Sequence, residues 1–337
     1  MRRQDWSWVL VLAALWSPLG FAKDDPKKPK KPKEDVEAIG ERNVGKGVNF
    51  YSIEQEIALG RQLAQEVARQ SKIVDDPILS EYVNRIGQNL VRNSDAKVPF
   101  TIQVLDNDEV NAFALPGGFF FVNTGVVRLS ENEAELAGVM AHEIAHVTAR
   151  HGTRQATRGQ ISNWASIPLI FIGGGIGYAV QQAAGLAVPL TFLKFSRGFE
   201  EEADMLGSQY LYKAGYDPAA MISFFERLKA KNKKRPGTLT KVFSSHPLTE
   251  DRIREVQKVI AELLPSRPEY ALNTSEFSDV RARLDRLQAG RRKQQDDPDR
   301  PTLRRKTNSD KIPAGSEGAG SEDPEERPTL KRRMTDN

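Results

Sequence analysis

The 337-residue chain has no cysteine and only four histidines, His142, His146, His151 and His246. Without a thiol, no lipid-anchoring cysteine is available, and a metal site would have to be built from His, Asp and Glu. The formal net charge is only +4, with the basic residues gathered in the flanks, which argues against a nucleic-acid partner. A clean membrane-spanning run of about twenty apolar residues is missing too. Trp164 to Val180 approaches that length, but Pro168 and Gly173-Gly174-Gly175 interrupt it.

Two of the scarce histidines lie four residues apart in His142-Glu143-Ile144-Ala145-His146. On a helix that spacing puts both imidazoles on one face, one turn apart, where they can share an ion. Glu143 then stands beside the ion as a base for an activated water and a proton carrier to a leaving amine. The flanking sequence predicts a helix. Ser130-Glu131-Asn132-Glu133 reads as a capping box with Ser130 as N-cap, a proline-free apolar run follows, and Gly152 is the expected stop. Two histidines do not complete a catalytic site, which usually has three protein ligands. Glu200 and Asp204 are four apart on a second helix predicted from Gly198 to Lys213. Glu200 can bind the ion while Asp204 accepts a hydrogen bond from a ligand histidine. The competing reading of Glu200, Glu201 and Glu202 is a solvated acidic face at a helix start.

Together with Ser196-Arg197-x-x-Glu200-x-x-Ala203-Asp204, the His142–His146 element resembles the zinc metallopeptidase family that contains the CAAX prenyl endopeptidases, HtpX and the periplasmic proteases BepA and LoiP. The resemblance runs from about Asn49 to Gln257. It includes Phe50-Tyr51-Ser52-x-Glu54-x-Glu56-x-x-x-Gly60, Asn111-Ala112-Phe113-Ala114-x-Pro116-Gly117-Gly118 and Ser245-His246-Pro247-x-x-x-x-Arg252-Ile253. It implies one zinc ion held by His142, His146 and Glu200, with Glu143 as catalytic base and Asp204 behind the ligands. It also implies a cleft-edge strand that pairs with extended substrate, which would be Gly118 to Thr124; Asn111, Gly118, Phe119 and Phe120 are the expected substrate contacts. The competing reading of the Phe119–Phe121 run is core packing. The His246 and Arg252 segment would return to the active site. Arg252 is expected to stabilise the oxyanion of the intermediate. For His246, the open readings are the same task, occupation of the open zinc position, or local hydrogen bonding. His151 is expected to cap helix carbonyls.

Five segments are expected along the chain. Residues 1–22 read as a secretory signal, with Arg2 and Arg3, an apolar run and Gly20-Phe21-Ala22; an uncleaved anchor is the alternative. Residues 23–48 read as a Lys/Pro-rich linker able to touch an anionic membrane. The zinc metallopeptidase domain spans 49–264, with helices over Ile53–Ser71 and Ile78–Arg92 and strands over Thr101–Leu105 and Gly118–Thr124. A helical appendage covers 265–290. A disordered tail over 291–337 carries two basic near-repeats, Arg300-Pro301-Thr302-Leu303-Arg304-Arg305-Lys306 and Arg327-Pro328-Thr329-Leu330-Lys331-Arg332-Arg333, as a docking segment for an unassigned partner or as drifted low-complexity sequence. Ile161 to Phe195 reads as a helical hairpin or lid, with membrane contact as the sharper alternative.

The expected fold is mainly α with a small β-sheet, an α+β zincin-like domain with disordered tails. The expected function is exported, periplasmic zinc endopeptidase activity on unfolded or misassembled envelope proteins, without nucleic acid. A chaperone or assembly factor for outer-membrane proteins, with little or regulated proteolysis, is the alternative.

Overall fold

The computed structural model describes residues 32–170, 195–234, 246 and 249–295. The leader, the start of the linker, the apolar stretch 171–194 and the tail with its two basic near-repeats lie outside the described residues. The chain divides into a unit Met1–Gly290 and a unit Arg291–Asn337. The fold described here is that of the first.

Helix α1 (Ile53–Gln70) opens on a capping box: the Gln55 N–H donates to Ser52 Oγ at 3.2 Å, and the Ser52 N–H donates to Gln55 Oε1 at 2.8 Å. Helix α2 (Pro77–Arg92) starts on Asp76, which accepts from the Leu79 N–H, and has Pro77 in the first turn, where no N–H is needed. Its buried Leu79, Tyr82, Val83, Ile86 and Leu90 recur at helical spacing and form one face of the core. Strands β1 (Thr101–Leu105), β2 (Ala112–Leu115) and β3 (Phe119–Asn123) follow. A Pro116–Gly118 turn joins β2 to β3, with Gly117 at φ 75° and Gly118 at φ 91°, a region open to glycine.

The sheet order is β1-β3-β2, with β1 parallel and β2 antiparallel to β3. This corrects the expected cleft edge. Both sides of β3 are already paired, Phe120 is fully buried, and Gly118 is packed against the Pro99 carbonyl. Phe119 is half-buried and packs against the same apolar cluster as Leu63 and Val67 of α1. Among the described residues the outer side of β2 is unpaired, whereas the end of β1 meets Ile73 and Val74; sequence alone did not mark β2 as a strand.

A short helix α3 (Thr124–Leu129) leads into α4 (Glu133–Thr148), then α5 (His151–Ile170), α6 (Arg197–Lys213), α7 (Ala219–Lys234), α8 (Glu250–Leu263) and α9 (Ser275–Gln295). Helix α4 is the centre of the unit. Every residue but Val147 is buried, and α2, β2, α6 and α7 pack around it. Its N-cap is Asn132, not Ser130: Asn132 Oδ1 accepts the Glu135 N–H at 2.9 Å. Ser130 instead closes α3, its hydroxyl donating to the Val126 carbonyl at 3.0 Å. The stop also differs. Helix α4 runs to Thr148 with Ala149 as its C-cap, Arg150 takes φ 57°, and Gly152 lies inside α5.

The unit extends beyond the boundaries expected at both ends. Val36, Arg42 and Val44 are buried, so the later part of the linker packs onto the domain. Phe277, Val280 and Leu284 of α9 belong to the main core cluster, so residues 265–290 are part of that core rather than an appendage. Among the described residues, no helix is long and apolar enough to cross a membrane.

Candidate metal centre

Helices α4 and α6 bring the predicted ligands together because they pack very closely. A methyl group at Gly207 of α6 would stand 3.1 Å from the His142 backbone nitrogen and 3.2 Å from its Cα. With only hydrogen there, α6 lies against the backbone of α4, and the first turns of α6 set Glu200 and Asp204 beside His142.

His142, His146, Glu200 and His246 are buried, and each presents a ligand atom within 4.8 Å of the others. The Nε2 atoms of His142 and His146 are 3.1 Å apart. Glu200 lies 3.5 Å from His142 Nε2 and 3.6 Å from His146 Nε2. A tetrahedral ion with bonds of about 2.0–2.1 Å separates its ligands by roughly 3.3 Å, so the three spacings match a shared ion. The charge matches as well. With the imidazoles neutral, as metal ligands must be, Glu143, Glu200 and Asp204 against Arg252 leave two negative charges in a buried site, the complement of a divalent cation. These residues fit a metal by distance, donor type and charge.

The surroundings set the state of each group. His142 Nδ1 is 2.9 Å from Asp204 Oδ1, which fixes hydrogen on that nitrogen and turns the Nε2 lone pair inward. Burial disfavours the charged form of His142, but Asp204 and Glu200 outweigh it and lift the ring to about 9, so a metal at Nε2 would take the place of the second hydrogen. Burial drives His146 well below its usual value. Burial works against the Glu200 carboxylate too, yet His246, His142 and His146 hold it well below the ordinary range. Burial raises Glu143 against the pull of His246 and His142, as suits a proton acceptor. The Ala114 backbone of β2 faces the Glu143 carboxylate and works against that rise, which sets this strand edge beside the base.

Arg252 stands elsewhere than expected for an oxyanion partner. Its Nε and Nη2 donate to the two oxygens of Asp204 at 2.7 and 2.8 Å, and its Nη1 is 3.0 Å from Glu200 Oε2. It therefore braces the carboxylates of α6 from α8. Burial pushes Asp204 up, but Arg252 and then His142 bring it below its usual value. His246 Nδ1 is 2.8 Å from Glu200 Oε1 and 3.5 Å from His142 Nε2, while its Nε2 is 3.6 Å from Glu143. Of the readings for His246, this placement agrees with occupation of the fourth position. Phe195 stacks on His146 at 4.1 Å and shields that side.

His151 and Glu202 were not foreseen here. His151 does not cap carbonyls; its ring nitrogens face His146 and Glu202. The αL turn at Arg150 carries it back toward His146, which helical spacing alone cannot anticipate. Burial pushes His151 down, and Glu202 is held at about 2 by His151 and Lys33 against the cost of its burial.

Residues 77–260 match the profile of peptidase family M48. The chain belongs to that family. The M48 match covers α2 through most of α8, hence all the residues of the metal cluster. The beta-barrel assembly-enhancing protease of Escherichia coli (strain K12) is 33% identical over 246 residues, 69% of this chain and 48% of its own. The corresponding Yersinia pestis protein is 34% identical over 226 residues, 64% of this chain and 46% of its own. The mitochondrial metalloendopeptidase OMA1 of Schizosaccharomyces pombe is 30% identical over 182 residues, 54% of this chain and 53% of its own. This M48 chain thus spans about half the length of these curated relatives.

Proposed function

We propose that the chain is a zinc-dependent endopeptidase of the cell envelope, acting on unfolded or misassembled β-barrel proteins. The observation that carries the peptidase reading is the convergence of His142 Nε2, His146 Nε2 and Glu200 beside a buried Glu143 of raised pKa. His142, His146 and Glu200 would hold one zinc ion. The chemistry a bound zinc supplies is a water of lowered pKa and a polarised scissile carbonyl. Glu143 takes the proton from the attacking water and delivers it to the leaving amine. Asp204 keeps hydrogen on His142 Nδ1, and Arg252 keeps Asp204 and Glu200 in place.

Substrate main chain would add to β2. The Asn123 N–H donates to the Asn111 carbonyl, so alternation along this antiparallel pair turns the main chain of Ala112 and Ala114 outward. An extended segment pairing there gains hydrogen bonds with little sequence demand, which suits unfolded clients. Asn111, at the start of this edge, stays in the proposed substrate contact. The β-barrel clients follow the names of the bacterial relatives, and the periplasmic location follows the apolar leader.

Glu143→Gln is the test. Zinc content by mass spectrometry stays unchanged, while casein cleavage falls at least about a hundredfold, the usual scale for loss of a general base. Retained turnover would remove Glu143 from the role. The placement of His246 at Glu200 favours a second aspect of this reading, restrained proteolysis, in which the ring must leave before water and substrate enter.

A further inference from the structure

Among the described residues, His146 meets no carboxylate directly through its Nδ1, as His142 meets Asp204. Its Nδ1 lies 2.8 Å from the Nδ1 of His151, whose Nε2 lies 3.2 Å from Glu202 Oε2. His151 is fully buried and stacked on Phe199 at 4.4 Å. Glu202 is in turn held by Arg154 Nη1 at 3.2 Å and by the Lys33 ammonium.

The hydrogens in this chain follow from donor and acceptor chemistry. A carboxylate only accepts, so the His151 Nε2 facing Glu202 carries hydrogen. One hydrogen then lies between the two Nδ1 atoms. If a doubly protonated His151 supplied it, neutral His146 would carry its own hydrogen on Nε2 and have no lone pair for a metal. If His146 supplies it, Nε2 is free to bind. Lys33 and Arg154 already balance the Glu202 charge, so a cationic His151 is not required there.

We propose that His151 and Glu202 are positioning residues for the metal: they lock hydrogen on His146 Nδ1 and so turn its Nε2 lone pair toward His142 and Glu200. The inference rests on the metallopeptidase reading above. It gives each ligand histidine its own carboxylate, one acting directly through Asp204 and one through an interposed imidazole. Outer partners of this kind change metal affinity by about 10–100-fold when lost.

The test is zinc affinity of the full chain by competition with a chromophoric chelator, together with two-bond ¹H–¹⁵N correlation of the histidine rings. His151→Phe keeps the stack on Phe199 but removes both hydrogen bonds, and zinc affinity falls about 10–100-fold. His151→Asn puts an amide oxygen near the lost Nδ1 and recovers most of that loss. Glu202→Gln keeps an acceptor and loses less than His151→Phe. Unchanged affinity in His151→Phe overturns the proposal, and so does equal weakening by Phe and Asn, which would mean packing alone. If His151→Phe does not fold, the ring spectrum of the unsubstituted zinc-loaded protein decides. Hydrogen on His146 Nδ1 and His151 Nε2 supports the relay; hydrogen on His151 Nδ1 overturns it. Failure of the unsubstituted protein to bind zinc sinks the metallopeptidase reading and the relay together, whereas zinc binding with indifferent variants sinks the relay alone.

Discussion

At the scale of single residues, Arg252 and His246 show how much a role depends on what a side chain touches. Both follow the metal helices in sequence and both reach the site. Arg252 is a fixed cation, the right chemistry for an oxyanion, yet its guanidinium is engaged by Asp204 and Glu200. A group so held acts through those carboxylates. His246 touches Glu200, His142 and Glu143 at once, the contacts an incoming water would need. His246→Ala should therefore raise casein proteolysis several-fold at unchanged zinc content. A fall in rate would instead give His246 a part in catalysis.

At the scale of elements, the site depends on how closely α6 approaches α4. Gly207→Ala tests this. Alanine improves helix propensity by about 1 kcal/mol over glycine. The added methyl, however, meets the His142 backbone at 3.1–3.2 Å and Met221 Cε at 3.0 Å. Backbone cannot swing aside as a side chain can, and overpacking of this kind costs about 1–3 kcal/mol. The net outcome is a lower urea midpoint and weaker zinc binding, because the ligands on α4 and α6 move apart; a gain in both would show that the helices have slack. The same elements show what was legible in the sequence. His142 could be paired with His146, and Glu200 with Asp204, because helical spacing is a local rule; joining the two pairs across separate helices came from the family resemblance. Elements α2, β1 and α6 carry their own start signals and periodicity. Strand β2 has four residues and no clear alternation, and only its pairing with β3 makes it a strand. Asn132 displaced Ser130 as the cap because Ser130 was already closing α3, a helix with too little sequence of its own to announce itself. His151 found His146 and Glu202 through one αL residue, and Glu202 carries the same sequence signature as a solvated carboxylate.

At the scale of the whole unit, the N-terminal segment is bound into the domain through a buried charge. Arg42 Nη2 is 2.6 Å from Asp95 Oδ2, and Tyr210 of α6 donates to the same oxygen at 2.9 Å. The Gly40 N–H donates to the other Asp95 oxygen at 2.8 Å. Arg42 Nη1 reaches Gln209 Oε1 at 2.6 Å and the Lys33 carbonyl at 2.7 Å. One guanidinium thus joins the incoming chain, the end of α2 and helix α6. Removing it strands Asp95 in the interior, where breaking one side of a buried ion pair costs about 3–5 kcal/mol. Arg42→Ala should lose that much in urea unfolding, and adding Asp95→Asn should recover part of it by removing the orphaned charge. A loss under about 1 kcal/mol would reduce the pair to surface strength. The effect should also reach the metal. Lys33, held by Arg42 through its carbonyl, contacts Glu202 through its ammonium, and Glu202 holds His151. Arg154 still contacts Glu202 in the variant, so zinc affinity should fall less in Arg42→Ala than in His151→Phe. A larger fall would mean that the N-terminal segment governs the site by a route other than Glu202.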